Sequence, residues 1–234
     1  MGSSRGNAVA AGVFFVVAFG AAVAGLALYQ PALGDPAYVL GAGADTQVLL
    51  GGFLELLLAG SCIGTAVALH PVLAPHGPAT ALGYVCGRLL EAALICVGIV
   101  ATLSLVSLRR GAVGDDESLT TAARTLIALH DWTFLLGPGL VIGVNSMLLA
   151  WLVLRSQLVP RWIARLGLTG GALVLASSTA VLFGLYAQTS AIALLAAVPV
   201  AAWEMCLAVR LLVSGFTPPA ERGPALPVAV PAGA

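Results

Sequence analysis

Apolar residues run along this chain in six long blocks, separated by short segments rich in proline, glycine and charge. About 20 consecutive apolar residues carry a helix across the hydrocarbon core of a bilayer. Six segments meet that length, at approximately Ala8–Leu28, Thr46–Leu69, Ala79–Leu105, Asp131–Leu154, Trp162–Leu185 and Ala191–Val213. The pattern predicts an all-α, polytopic integral membrane protein, a single bundle of six transmembrane helices within residues 1–216. The lipid bilayer is then its first partner. Residues 217–234 contain Pro218, Pro219, Pro224, Pro227 and Pro231 and read as a proline-rich disordered tail.

The first block exceeds the usual apolar region of a signal peptide and no Ala-x-Ala site follows it, so it reads as an uncleaved span. Gln30 to Asp45 reads as a loop, with Asp45 placed to cap the second span. His70 to Pro78 is a breaker-rich turn. In the longest connection Asp115, Asp116 and Glu117 precede Leu119, Ala122, Ala123, Leu126 and Ile127 at helical spacing. The acids suit a helix start. The stripe predicts a short helix lying at the membrane interface before the chain turns into span four, or else a lid over a cavity. Pro138, between Gly137 and Gly139, predicts a kink that faces protein or water, because freed carbonyls need partners in lipid. Trp132 at one end of span four and Trp151 and Trp162 at the other suit the two interfaces.

Composition agrees with this pattern. Of 234 residues 60% are hydrophobic and 9% charged, against about 25% charged in soluble domains. The formal charge of zero suggests no nucleic-acid partner. Cys62, Cys86, Cys96 and Cys206 lie singly inside apolar blocks and read as small packing residues. His70 and His76 are six apart with no third ligand nearby, so no metal is expected; they lie on the opposite side from His130, so no bis-His haem pair is expected either, and no cofactor is assigned. No G-x-S-x-G, H-E-x-x-H or Asp-rich pair points to an enzyme, and no catalytic residue is assigned.

The chemistry lies in the charges inside the apolar blocks. Arg88 and Glu91 are three residues apart and share a helix face. Glu55 and Glu204 stand on stripes of small residues in spans two and six, and Asn145 lies near the middle of span four. A charge at mid-bilayer costs about 2.5–3.5 kcal/mol or more, so such groups face the bundle interior and often mark ion or ligand sites. Glu55, Arg88, Glu91, Asn145 and Glu204 are therefore the candidate intramembrane polar site, with His130 and Asp131 at its mouth. Three acids face one guanidinium in this reading, and Arg88 holds one carboxylate bidentately. Two roles stay open. The cluster handles a small solute, ion or ligand, cations included, or it only holds together the bundle of a structural or accessory subunit. A third reading, a lipid-modifying enzyme, needs a pocket open to a headgroup near His130 and Asp131. Oligomeric state is left open.

Arg5, Arg155, Arg161, Arg165, Arg210 and Arg222 share one side, and Arg109, Arg110 and Arg124 the other. The positive-inside rule puts both termini in the cytoplasm of a cell-membrane protein, with Arg109-Arg110 as a counter-signal. The segments GGFLELLLAGSCIGTAVALHPVL, GYVCGRLLEAALICVG, HDWTFLLGPGLVIGVNSMLL, SQLVPRWIARLGLTGG and PVAAWEMCLAVRLLVSGF, taken in order, resemble a bacterial membrane family catalogued as domain of unknown function 4386. The resemblance implies a multi-span integral membrane protein and supplies no substrate, cofactor or catalytic residue.

Overall fold

Gly51 and Gly52 on one span and Gly167, Gly170 and Gly171 on another leave bare backbone where helices must meet, and the helices pack along these positions. The computed structural model describes residues 2–41, 43–111 and 114–218, and the expected proline-rich tail from Pro219 onward lies outside them. Regular structure among the described residues is helical throughout. The helices are α1 (Gly2–Leu33), α2 (Asp45–Leu73), α3 (Pro78–Arg110), α4 (Asp116–Phe134), α5 (Ile142–Ser156), α6 (Arg161–Leu182) and α7 (Ala191–Val213). A π-helical segment, Leu135–Val141, joins α4 to α5 without a break. Six helices are long and apolar enough to cross a membrane, with Asp116–Ser156 forming one of them.

Neighbours in sequence pack as neighbours in space, and α7 returns to pack on α1, which closes the bundle. Gly143 and Gly171 bring α5 and α6 together: a Cβ on Gly171 would stand 2.8 Å from the Gly143 carbonyl oxygen. Gly167 accommodates the indole of Trp203, the largest fully buried side chain. The outer faces are apolar instead, with Val23, Val67, Val100 and Leu195 all at least 60% exposed. A surface of this kind suits lipid rather than water. Trp132 and Trp151 are 51% and 46% exposed, and 19 residues of helix separate them by about 28 Å, close to the hydrocarbon thickness.

Three local expectations are corrected. The helix at Asp116 does not turn flat onto an interface but continues coaxially into span four. Its apolar stripe finds a protein partner, because Leu119 and Ala123 are buried against Tyr38, Val39, Leu105 and Val106. Asp115 caps it, accepting from the Ser118 N–H at 2.8 Å, and that bond holds the Asp115 carboxyl below the usual carboxylate range. Residues 30–45 are not all loop: α1 runs on to Leu33, and Asp35 caps a 3-10 turn at Pro36–Leu40. Asp45 does not cap α2. It is the helix's first residue, and its carboxylate turns away to accept from Tyr38 Oη (2.7 Å), from Arg109 Nε (2.7 Å) and Nη2, and from Arg110 Nε (2.8 Å). Two arginines at the end of α3 offer a stronger partner than a backbone amide does. Burial, reinforced by this carboxylate and opposed by Arg109, pushes the Tyr38 phenol up to about 12.

Pro138 produces the expected irregularity as a π turn, in which the Ile142 N–H reaches back to the Gly137 carbonyl. The π geometry absorbs the missing proline donor inside a continuous helix.

Candidate functional site

Arg88 is the centre of a tight polar cluster. Its helix, α3, buries Tyr84, Arg88, Glu91, Ile95, Gly98 and Thr102 on one stripe, at the three- and four-residue spacing of a helix face. Arg88 Nη1 donates to both carboxylate oxygens of Glu91, at 3.3 and 3.1 Å, and Nη2 donates to Glu204 Oε1 on α7 at 2.8 Å. Nε donates to Tyr84 Oη at 3.2 Å, and Nη1 also approaches Cys62 Sγ on α2 at 3.8 Å. The guanidinium lies over the Phe15 and Tyr84 rings, each centroid 5.6 Å away. From α5, Asn145 Nδ2 donates to Glu91 Oε2 at 2.9 Å. Side chains from α1, α2, α3 and α7 thus meet at one guanidinium, and α5 joins through Asn145 on Glu91.

The arrangement departs from the single three-acid cluster in two ways. Arg88 divides its donors between two carboxylates rather than clamping one. Glu55 is absent from the cluster. It precedes Cys62 by seven residues, which on a helix is about 10.5 Å along the axis. That is too far to share an ion pair. The face of span six is also shifted: Val200, Trp203, Leu207 and Leu211 point inward, and Glu204 sits at the edge of that face.

Arg88, Glu91 and Asn145 are 4%, 2% and 0% exposed, so the cluster is a tight seam that opens slightly at its Glu204 edge, where the side chain is 15% exposed. Asn145 Oδ1 has no partner and presses against Gly87, where a Cβ would collide with it.

Glu55 belongs to a second layer, two helical turns nearer the Asp45 end of the bundle. Gly98 and Pro138 stand in the same seven-residue relation to Glu91 and Asn145. This layer lines a small, half-open cavity of about 10 Å³, bounded by Tyr29, Glu55, Ile95, Gly98, Ile99, His130, Thr133, Phe134 and Pro138. That volume holds about one water molecule. The kinked proline therefore faces this cavity. Tyr29, 1% exposed, lies along Gly51 and Gly52, and its hydroxyl is buried without a hydrogen-bond partner among the described residues. The Glu55 carboxylate lies against Gly25, where a Cβ would come within 2.9 Å of Oε1, and makes no ion pair or hydrogen bond among the described residues. Thr133 Oγ1 donates to the His130 carbonyl at 2.8 Å, leaving its lone pairs free to accept. A Cβ at Gly98 would crowd that hydroxyl at 2.9 Å.

His130 is buried between Tyr29 (edge-on, 5.9 Å) and Phe134 (stacked, 6.2 Å). Asp131 points the other way, 63% exposed, with its oxygen 3.4 Å from His130 Nδ1. The layer lies near the level of Trp132, which follows Asp131 by one residue.

Of the residues lining this cavity, the sequence singles out Glu55 and His130 as candidates but not Tyr29 and Thr133. The available signal was the Gly51-Gly52 pair, which leaves a groove wide enough for an aromatic ring from a neighbouring helix.

The family model described as "Domain of unknown function (DUF4386)" matches residues 10–215. No curated protein and no solved structure matches the chain.

Proposed function

This chain belongs to the family described as Domain of unknown function (DUF4386), and from that footing we propose that it is a multi-pass protein of the cell membrane that binds a proton or a water-sized monovalent cation at Glu55. One observation carries the reading: Glu55 and the Tyr29 hydroxyl line the same cavity, and neither has a hydrogen-bond or ion-pair partner among the described residues. Glu55 is half-buried within an apolar span, and a carboxylate there without a counter-charge needs a proton, a water or a cation beside it. Size narrows the choice. Sites for organic ligands hold roughly 300–1,000 Å³, whereas this cavity holds about 10 Å³. Tyr29, Thr133 and His130 supply the remaining oxygen and nitrogen contacts.

The alternative, that buried charge only holds the bundle together, is favoured for the Arg88 cluster, which is tight and internally paired. We assign that cluster to the frame and the Glu55 layer to the ion. By the same proposal, the bundle end that holds Arg5 and Thr217 lies on the cytoplasmic side, as the positive-inside rule favours. Arg5 donates to the carbonyls of Leu211, Leu212 and Val213, and the Thr217 N–H donates to the Leu158 carbonyl. These contacts gather Arg155, Arg161, Arg165 and Arg210 at one end. The opposing pair, Arg109 and Arg110, is neutralised in part by Asp45.

The test is thermal unfolding of purified protein in detergent, titrated with NaCl or KCl against choline chloride, and separately with pH. A bound ion stabilises the folded state by mass action, by about 2.7 kcal/mol at a hundredfold excess over Kd. The wild type should gain stability with one of these ions, and Glu55→Gln should not. Identical responses of the two proteins would overturn the assignment.

A further inference from the structure

A groove of about 450 Å³ opens sideways between the start of α6 and the end of α7, lined among others by Trp162, Ile163, Met205, Val209, Arg210 and Val213. Its walls are apolar, its outer rim is the exposed indole of Trp162 (59%), and its polar end is Arg210. That guanidinium is poorly satisfied. Among the described residues its Nε is buried without a partner, and its Nη2 reaches the Thr217 hydroxyl at a long 3.4 Å. The last-turn carbonyls of α7, to which a basic residue here would ordinarily donate, are taken by Arg5.

Charge at this end is one-sided. Arg5, Arg155, Arg161, Arg165 and Arg210 gather there, and every described carboxylate lies elsewhere: Glu204 is one and a half turns deeper and paired to Arg88, and the others are on the Asp45 side of the Arg88 layer or within it. An arginine at the head of an apolar groove, level with an interfacial tryptophan, matches a phosphate ester attached to a hydrocarbon chain.

We propose that this groove is a binding site for an anionic phospholipid, one acyl chain lying along Met205, Val209 and Val213 and the phosphate held by Arg210. The site is independent of the Glu55 cavity and needs no assumption about its ion. Lipid is chosen over free phosphate because the groove is almost wholly apolar and opens toward the bilayer.

The experiment is native mass spectrometry of the purified full chain in detergent, with phosphatidylglycerol or phosphatidylcholine of identical acyl chains added in equal amounts, and inorganic phosphate as a third arm. Retention of phosphatidylglycerol should exceed that of phosphatidylcholine about fivefold, the discrimination expected of one arginine at a charged interface. Arg210→Gln should reduce it to the phosphatidylcholine level. Trp162→Ala should weaken retention of both lipids, and Arg165→Gln, an exposed arginine at the same end, should change neither. Should Arg210→Gln fail to fold, Arg210→Lys keeps the charge without the fork and should retain an intermediate amount. Equal retention of the two lipids by the wild type, competition by inorganic phosphate alone, or an equal loss in Arg165→Gln would each overturn the proposal.

Discussion

Replacing Arg88 by methionine is the sharpest probe of the frame. The side chain is of similar length, so the packing on Phe15 and Tyr84 is largely preserved, but the guanidinium disappears. Four close hydrogen bonds go with it, to Glu91 at 3.3 and 3.1 Å, Glu204 at 2.8 Å and Tyr84 at 3.2 Å. Two carboxyl groups are then left facing each other. Ordinary polar contacts between membrane helices average about 0.6 kcal/mol and reach about 1.7, which would make the loss small. Breaking a buried ion pair by removing one partner costs about 3–5 kcal/mol, because the remaining charge is stranded. The side chains of Arg88 and Glu91 are 5% and 3% exposed, and that of Glu204 is 15% exposed, so the stranded Glu91 cannot be taken over by water, and the larger figure applies.

Arg88→Met should therefore lose about 3–5 kcal/mol. The triple variant Arg88→Met/Glu91→Gln/Glu204→Gln should recover most of that loss, because it removes the stranded charges and keeps an acceptor for Asn145. The measurement is equilibrium unfolding in mixed detergent–SDS micelles, followed by tryptophan fluorescence, in which Trp203 reports from the core. A loss below about 1 kcal/mol for the single variant, or a triple variant as unstable as the single, would refute the reasoning.

Other consequences are simpler to test. Gly167→Ala places a methyl 2.6 Å from the Trp203 indole and should cost about 1–3 kcal/mol by overpacking, read in the same unfolding assay. Gly87→Ala should displace the Asn145 amide and lower stability as well, and it should have little further effect in an Asn145→Ala background, because the obstructing group is gone. For Tyr38 the phenol rises from 10.0 to about 12. A raised folded value means its contribution is intact below pH 10 and is lost as pH climbs through about 12. The ultraviolet titration difference between wild type and Tyr38→Phe should show a phenolate appearing only near that upper value, and a midpoint near 10 would contradict the buried Asp45 contact. Asp45→Asn frees both arginines at the end of α3, so trypsin should cut after Arg109 and Arg110 faster than in the wild type.

Much of the fold was legible before any coordinates. Six apolar blocks of sufficient length dictate six spans, because a bilayer demands internally bonded backbone over its whole thickness. The α3 stripe from Tyr84 to Thr102, the irregularity at Pro138 and the tryptophans near both interfaces are properties of a single helix and follow from its period. The end-to-end register of the helices is different in kind. Glu55 and Glu204 both lie near the middle of their spans, yet one is two turns from Arg88 and the other is in contact with it. A seven-residue offset leaves a residue on nearly the same face, so periodicity cannot see it, although it moves the side chain by about 10.5 Å. Likewise nothing local distinguishes an Asp45 that caps its own helix from one that turns to Arg109 and Arg110 on another. Periodicity along one helix is written in the chain; which turns of different helices lie level is set by how glycine faces and ring systems seat against one another, and only the packed bundle decides it.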